Sequence, residues 1–122
     1  MQMNKQLVSY LLFDAKVDPN LLTIDTQLAA IHIACQLKDL EIIDILLQSD
    51  QLDVNVCAPL LNKETPLHIA CRLDQIQLVQ LLLLNNADFT AKNSKNKVAK
   101  ELTKNQRIVY LIEKYEKRQG SG

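Results

Sequence analysis

Residues 31–48, IHIACQLKDLEIIDILLQ, return at offset 36 as residues 67–84, LHIACRLDQIQLVQLLLL, with seven of eighteen pairs identical. Five further pairs exchange one aliphatic residue for another, so the register of apolar positions is kept. A repeat of this period implies a solenoid, because one unit cannot bury its apolar face alone and must stack on its neighbours. Each copy holds two short apolar-periodic segments, Ile31–Leu37 then Leu40–Leu47, and Leu67–Leu73 then Ile76–Leu84. Each unit therefore reads as two antiparallel helices. Ala34, Cys35, Ala70 and Cys71 are small at the positions where units must approach closely, since larger side chains there would force the helices apart. Thr65 is a good N-cap and Pro66 suits the first helical turn.

Composition agrees with a helical stack. Hydrophobic residues make up 48% of 122 residues, aromatics only 4%, with no Trp and two Gly, a Leu- and Ile-rich profile that favours a helical core over large β-sheets. The length is that of a single domain. Fourteen basic and fourteen acidic residues cancel, but residues 1–91 carry 5 against 11 and residues 92–122 carry 9 against 3, giving −6 and +6. The chain is polarised end to end. Its longest nearly apolar run, Leu78–Leu84 interrupted by Gln80, falls far short of the ~20 residues of a membrane span. The start, MQMNKQLVSYLL, does not read as a secretory signal. Three cysteines, at 35, 57 and 71, fit a reduced intracellular setting, cytoplasmic or nuclear, better than a disulfide scaffold. Residues 120–122, Gly-Ser-Gly, read as a cloning remnant.

Thr65-Pro66-Leu67-His68-Ile69-Ala70 matches the ankyrin signature T-P-L-H-x-A without substitution, with Ala29-Ala30-Ile31-His32-Ile33-Ala34 as a degenerate copy. The chain resembles the ankyrin-repeat family. Leu78–Asp88 and Glu41–Asn55 are similar to the family's outer helix and its exit turn, and Gln6–Leu12 with Val17–Asn20 to another. Val98–Thr103 takes the signature slot in a last unit whose Ile108–Tyr115 helix is more charged, as a polar cap requires. The expected fold is an all-α ankyrin solenoid of helix-turn-helix units with projecting hairpin-like loops. It comprises a partial unit 1–20, repeats 21–55 and 56–90, and a C-terminal cap unit 91–119. Seven helices are expected near 4–14, 30–37, 40–49, 66–73, 76–85, 98–103 and 106–117. The family's Gly-His between helices is replaced by Lys38-Asp39 and Asp74-Gln75, and the Gly before the Thr slot by Lys63 or Asn96. A positive-φ residue other than Gly costs about 1 kcal/mol, so these loops are candidates for a different bend. Ala29 in place of Thr loses a cap worth ~1 kcal/mol.

His32 with Cys35, and His68 with Cys71, repeat an H-x-x-C spacing that puts both side chains on one helix face and raises zinc as a possibility. Packing is the plainer reading, because the resemblance implies that the histidine ring bonds neighbouring backbone while the Cys position is a small buried one. Units ~10 Å apart, the spacing of packed helices, would keep the two sets from one tetrahedral ion. A Cys–His nucleophilic site would further need an oxyanion site and an orienting third group. Gly occurs only at 120 and 122, so there is no Gly-rich phosphate loop. Neither a catalytic residue, a metal ligand nor a cofactor is expected.

The expected function is to hold another protein, a peptide segment or a helix, through the concave groove and the finger loops. No small-molecule substrate is expected, and the module is expected to be monomeric alone. Gln36, Leu37, Arg72 and Leu73 end the two inner helices beside the groove. The finger 56–64 is two residues longer than the family spacing and puts Cys57, Pro59, Leu60, Leu61 and Lys63 at its tip. Two adjacent leucines there either meet a partner or fold back. Lys92 and Lys95 lie on the following finger. The basic C-terminal unit offers electrostatic docking to an anionic membrane or nucleic acid as an alternative. Tyr110 and Tyr115 are scarce material for base stacking, and Tyr110 is expected to pack against the preceding unit. The apolar face of Leu7, Tyr10, Leu11 and Phe13 has no inner helix before it, as in a fragment of a longer array.

Overall fold

The computed structural model describes residues 18–20, 22 and 29–120. Among them are α1 (Ala30–Leu37), α2 (Leu40–Leu47), α3 (Pro66–Arg72), α4 (Ile76–Leu84), one 3-10 turn (Ala99–Leu102) and α5 (Gln106–Gly120). The helix expected near 4–14 lies outside the described residues. These helices are too short to be stable alone, so caps and stacking hold them. The Asp39 carboxylate accepts the Ile42 N–H at 3.2 Å at the start of α2. The Thr65 hydroxyl accepts the His68 N–H at 3.4 Å at the start of α3. Asn105 Oδ1 accepts the Arg107 N–H at 3.0 Å ahead of α5.

The turn between paired helices is built identically in both copies. Lys38 and Asp74 stand at φ 59° and 55°. In the first copy Lys38 N–H bonds Cys35 O (3.1 Å) and Asp39 N–H bonds Ala34 O (3.2 Å). In the second, Asp74 N–H bonds Cys71 O (3.1 Å) and Gln75 N–H bonds Ala70 O (3.0 Å). A left-handed residue satisfying the last carbonyls is how helices commonly end. The bend is thus the one glycine would adopt, kept at a cost of about 1 kcal/mol per site. Lys63 (φ 54°) and Asn96 (φ 63°) likewise take the left-handed conformation before the next unit.

Burial follows the repeat. Ile31 and Leu67, Ala34 and Ala70, Cys35 and Cys71, Ile42 and Leu78, Ile43 and Val79, and Leu46 and Leu82 are all buried in one continuous core. On the inner layer α3 packs against α1 on one side and the 3-10 turn on the other; on the outer layer α4 packs against α5. The segment expected to be helical over 98–103 narrows to one 3-10 turn. Thr103 is extended, its hydroxyl donates to Asp74 Oδ1 and also accepts the Asn105 N–H at 3.0 Å, so those residues are committed to the exit. Tyr110 does not pack against the preceding unit as expected; it is 67% exposed. Ile108 and Ile112, one turn apart, are fully buried instead, and position 110 falls on the opposite side of a 3.6-residue helix.

Loop roots are tied across units by a second periodic device. Asp18, Asp53 and Asp88 each accept the N–H two residues on, from Asn20, Asn55 and Thr90, at 2.8–2.9 Å. Asn20 Oδ1 then accepts Asp53 N–H, and Asn55 Oδ1 accepts Asp88 N–H, both at 2.7 Å. Each local turn is thereby fastened to the next, which satisfies backbone donors that no sheet among the described residues pairs.

Candidate functional site

Two buried histidines anchor the loops that project from the stack. His32 Nδ1 accepts the Ala29 N–H at 3.0 Å and Nε2 donates to Val56 O at 2.8 Å. His68 Nδ1 accepts the Thr65 N–H at 3.1 Å and lies 2.8 Å from the Thr65 hydroxyl, while Nε2 donates to Lys97 O at 2.9 Å. One ring nitrogen closes the helix start; the other holds the root of the next finger. At Ala29 the ring supplies the return half of the cap, while the His32 N–H, which a Thr side chain would accept, bonds Ala29 O at 3.0 Å. In the last unit Glu101 substitutes for the histidine, accepting the Val98 N–H at 3.0 Å, and that bond lowers its pKa. Burial lowers the His32 pKa against the opposing pull of the Val56 carbonyl. The two H-x-x-C pairs do not combine: among the described residues no three His, Cys, Asp or Glu side chains converge as ion donors.

The finger from Val56 to Glu64 is a closed structure. Ala58 and Glu64 form an antiparallel bridge, with Ala58 N–H to Glu64 O at 2.9 Å. Inside it Leu61 N–H bonds Ala58 O at 3.0 Å and Glu64 N–H bonds Leu61 O at 2.9 Å. Asn62 and Lys63 are both left-handed, at φ 53° and 54°. The two leucines part company as a result: Leu61 turns in and packs on the core, while Leu60 is 65% exposed. Glu64, only 3% exposed, receives the Arg72 Nε at 3.1 Å. The next finger is organised by Asn93, whose side-chain oxygen accepts the N–H groups of Lys95 and Lys97, each at 3.0 Å. Ser94 N–H donates to Asn62 O at 2.7 Å, joining the two tips.

The residues singled out from sequence fall into three groups. Pro59, Leu60, Lys63, Lys92, Lys95 and Cys57 are exposed on the two fingers. Gln36 and Leu37 are exposed at the end of α1. Arg72, exposed but bonded to Glu64, and Leu73, half-buried on the core, mainly support the finger root and the end of α3. The signature residues Thr65, Pro66, Leu67, His68, Ala70, His32 and Ala34 are all buried. One concave feature has no counterpart in the sequence reading. A depression of about 520 Å³ on the outer-helix side is lined by Leu40, Gln77, Gln80, Leu81, Leu84, Leu111 and Tyr115. The setting of α2, α4 and α5 together creates it, so the signal lay in tertiary structure and not in spacing.

None of the three cysteines is in a disulfide. Burial pushes the Cys35 thiol up to about 12, and burial together with the Asp74 carboxylate does the same to Cys71. Because the thiolate is the reactive species, these two should react with an aromatic disulfide reagent at least ~10³-fold more slowly than Cys57 at pH 8. The expected titration is one rapid equivalent, with the other two released only by denaturant. Two or three rapid equivalents would show the inner-helix contact to be open.

A family model described as ankyrin repeats (3 copies) matches residues 1–93. Among solved structures, the ankyrin repeat domain of Bcl-3, described as a unique member of the IkappaB protein family, is similar in fold with a TM-score of 0.77 and 23% identity. That match covers 84% of this chain and 44% of the other, so the chain spans less than half the length of that structure. No curated protein matches the chain. No helix among the described residues is long and apolar enough to cross a membrane.

Proposed function

Because the chain belongs to the ankyrin-repeat family, whose members are generally protein–protein interaction modules, we infer that it holds a protein partner through its fingers and concave groove rather than catalysing a reaction. The observation that carries this is Leu60. The finger is closed by its own hydrogen bonds and turns Leu61 inward, yet displays a leucine that is 65% exposed. Pre-ordered loops with an apolar tip bind with little ordering cost. Gln36 and Leu37 on α1 extend the same reading into the groove. The division into a partial unit 1–20, repeats 21–55 and 56–90 and a cap 91–119 belongs to this proposal. So does an intracellular, cytoplasmic module, monomeric alone, in a larger scaffold, trafficking or signalling protein. Three free thiols support the compartment.

Electrostatic docking through the last unit has weaker support. Lys100 is paired with Glu116 at 2.9 Å and Glu113 at 3.7 Å, Lys97 with Glu101 at 3.7 Å, and the Arg118 guanidinium stacks over Tyr115 at 5.5 Å. Lys97 and Lys100 are thus answered within the unit.

Leu60→Ser and Leu61→Ser separate contact from support. Leu60→Ser should leave stability within about 0.5 kcal/mol, as surface substitutions do, and should lose proteins that the wild type retains in affinity capture. Leu61→Ser should lower stability by roughly 1–2 kcal/mol through lost apolar burial. Full retention of those proteins by Leu60→Ser would overturn the reading.

A further inference from the structure

We propose that the partner segment is acidic and carries a large apolar side chain, bound across both finger tips by Leu60 and the ammonium groups of Lys63, Lys92 and Lys95. This rests on the finger reading above and names the chemistry it selects. The Ser94–Asn62 bond of 2.7 Å sets the tips side by side. Lys63 follows Asn62 and Lys95 follows Ser94 in sequence, so the backbones from which both side chains extend lie within one or two ~3.8 Å residue steps of that bond. Lys92 is two residues before it.

The local charge is one-sided. Over 56–64 and 89–97 the basic residues are Lys63, Lys92, Lys95 and Lys97, and the sole acid is Glu64. Glu64 is nearly buried and bonded to Arg72, and Lys97 is paired with Glu101. No carboxylate among the described residues forms a salt bridge with Lys63, Lys92 or Lys95, and Lys92 is near enough to Glu101 to help lower its pKa. The chain as a whole is neutral, and Lys92 and Lys95 open its basic end at 92–122 while Lys63 stands in the acidic part. Exposed charge pairs are individually weak and salt-screened, and act chiefly on encounter and on rejection of basic segments. The apolar anchor supplies a desolvated contact that charge alone does not.

A polypeptide fits better than a nucleic acid. The one aromatic residue on these fingers, Phe89, is half-buried against the core, which leaves no exposed ring for base stacking. The tips are also pre-ordered, by the Ala58–Glu64 bridge in one finger and by the Asn93 side chain in the other, which suits capture of an extended segment.

The test is selection of a random linear peptide library on the whole chain. Fluorescence anisotropy of the enriched peptides then compares wild type, Leu60→Ser and the Lys63→Glu/Lys92→Glu/Lys95→Glu variant, each checked for unchanged melting. Expected are peptides in which Asp and Glu outnumber Lys and Arg around a large apolar residue, with each variant binding them about tenfold or more weakly. Neutral or basic peptides, or no enrichment at all, would overturn the proposal. Peptides lost with Leu60→Ser but kept by the charge reversal would end the acidic segment and leave the finger site standing. Peptides kept by both variants would remove the finger site itself. A single-stranded oligonucleotide bound more tightly than any selected peptide would replace the proposal with nucleic-acid docking.

Discussion

His68→Ala is expected to lower the unfolding free energy by about 3–5 kcal/mol, from unsatisfied buried polar groups and a residual cavity. The ring serves three groups: the Thr65 N–H, the Thr65 hydroxyl and the Lys97 carbonyl. Thr65 is buried and its N–H has no other partner, so each loss there falls in the range of about 1–3 kcal/mol for an orphaned buried group. The Lys97 end is nearer solvent and loses less. Against a domain stability of roughly 5–15 kcal/mol this is a large fraction, and urea unfolding reads it directly. His32→Ala should cost less, about 2–4 kcal/mol, since only the Ala29 N–H and Val56 carbonyl depend on that ring. Equal urea midpoints for His68→Ala and wild type would mean that the histidines do not tie the stack.

The second large effect separates two leucines two residues apart. Leu82→Ala should destabilise by about 2–5 kcal/mol, the range for truncating a buried leucine, because Leu82 is fully buried in the core. Leu84→Ala should change stability by less than about 0.5 kcal/mol, since Leu84 is 68% exposed at the end of α4. Thermal melts of the two variants check the pair. Similar losses from both would mean that the outer depression beside Leu84 is closed over in solution.

That contrast also marks where sequence reasoning stopped. Leu81-Leu82-Leu83-Leu84 is a uniform run, and only helix geometry in the stack assigns burial to its members. The helix pairs were legible because six matched positions had to be buried twice; the turns were not, because Lys38 and Asp74 in place of Gly suggested a different bend and yet both take the left-handed conformation. Thr65 and Pro66 announced a helix start by local chemistry alone. The split between Leu60 and Leu61 was not legible, because it depends on the Ala58–Glu64 bridge and two left-handed residues at Asn62 and Lys63, neither of which favours that conformation as glycine would. Nor was Arg72's partner: Glu64 lies eight residues earlier, a distance that helix periodicity does not relate. Tyr110 misled because its neighbours at 108 and 112 already filled the buried face.

Amide chemical-shift mapping of the isotopically labelled chain with a selected peptide tests the central claim most directly. Shifts are expected at 57–63 and 91–96, with smaller ones at Gln36 and Leu37. Shifts confined to α4 and α5 around Leu84, Leu111 and Tyr115 would move binding to the outer depression and contradict the finger account.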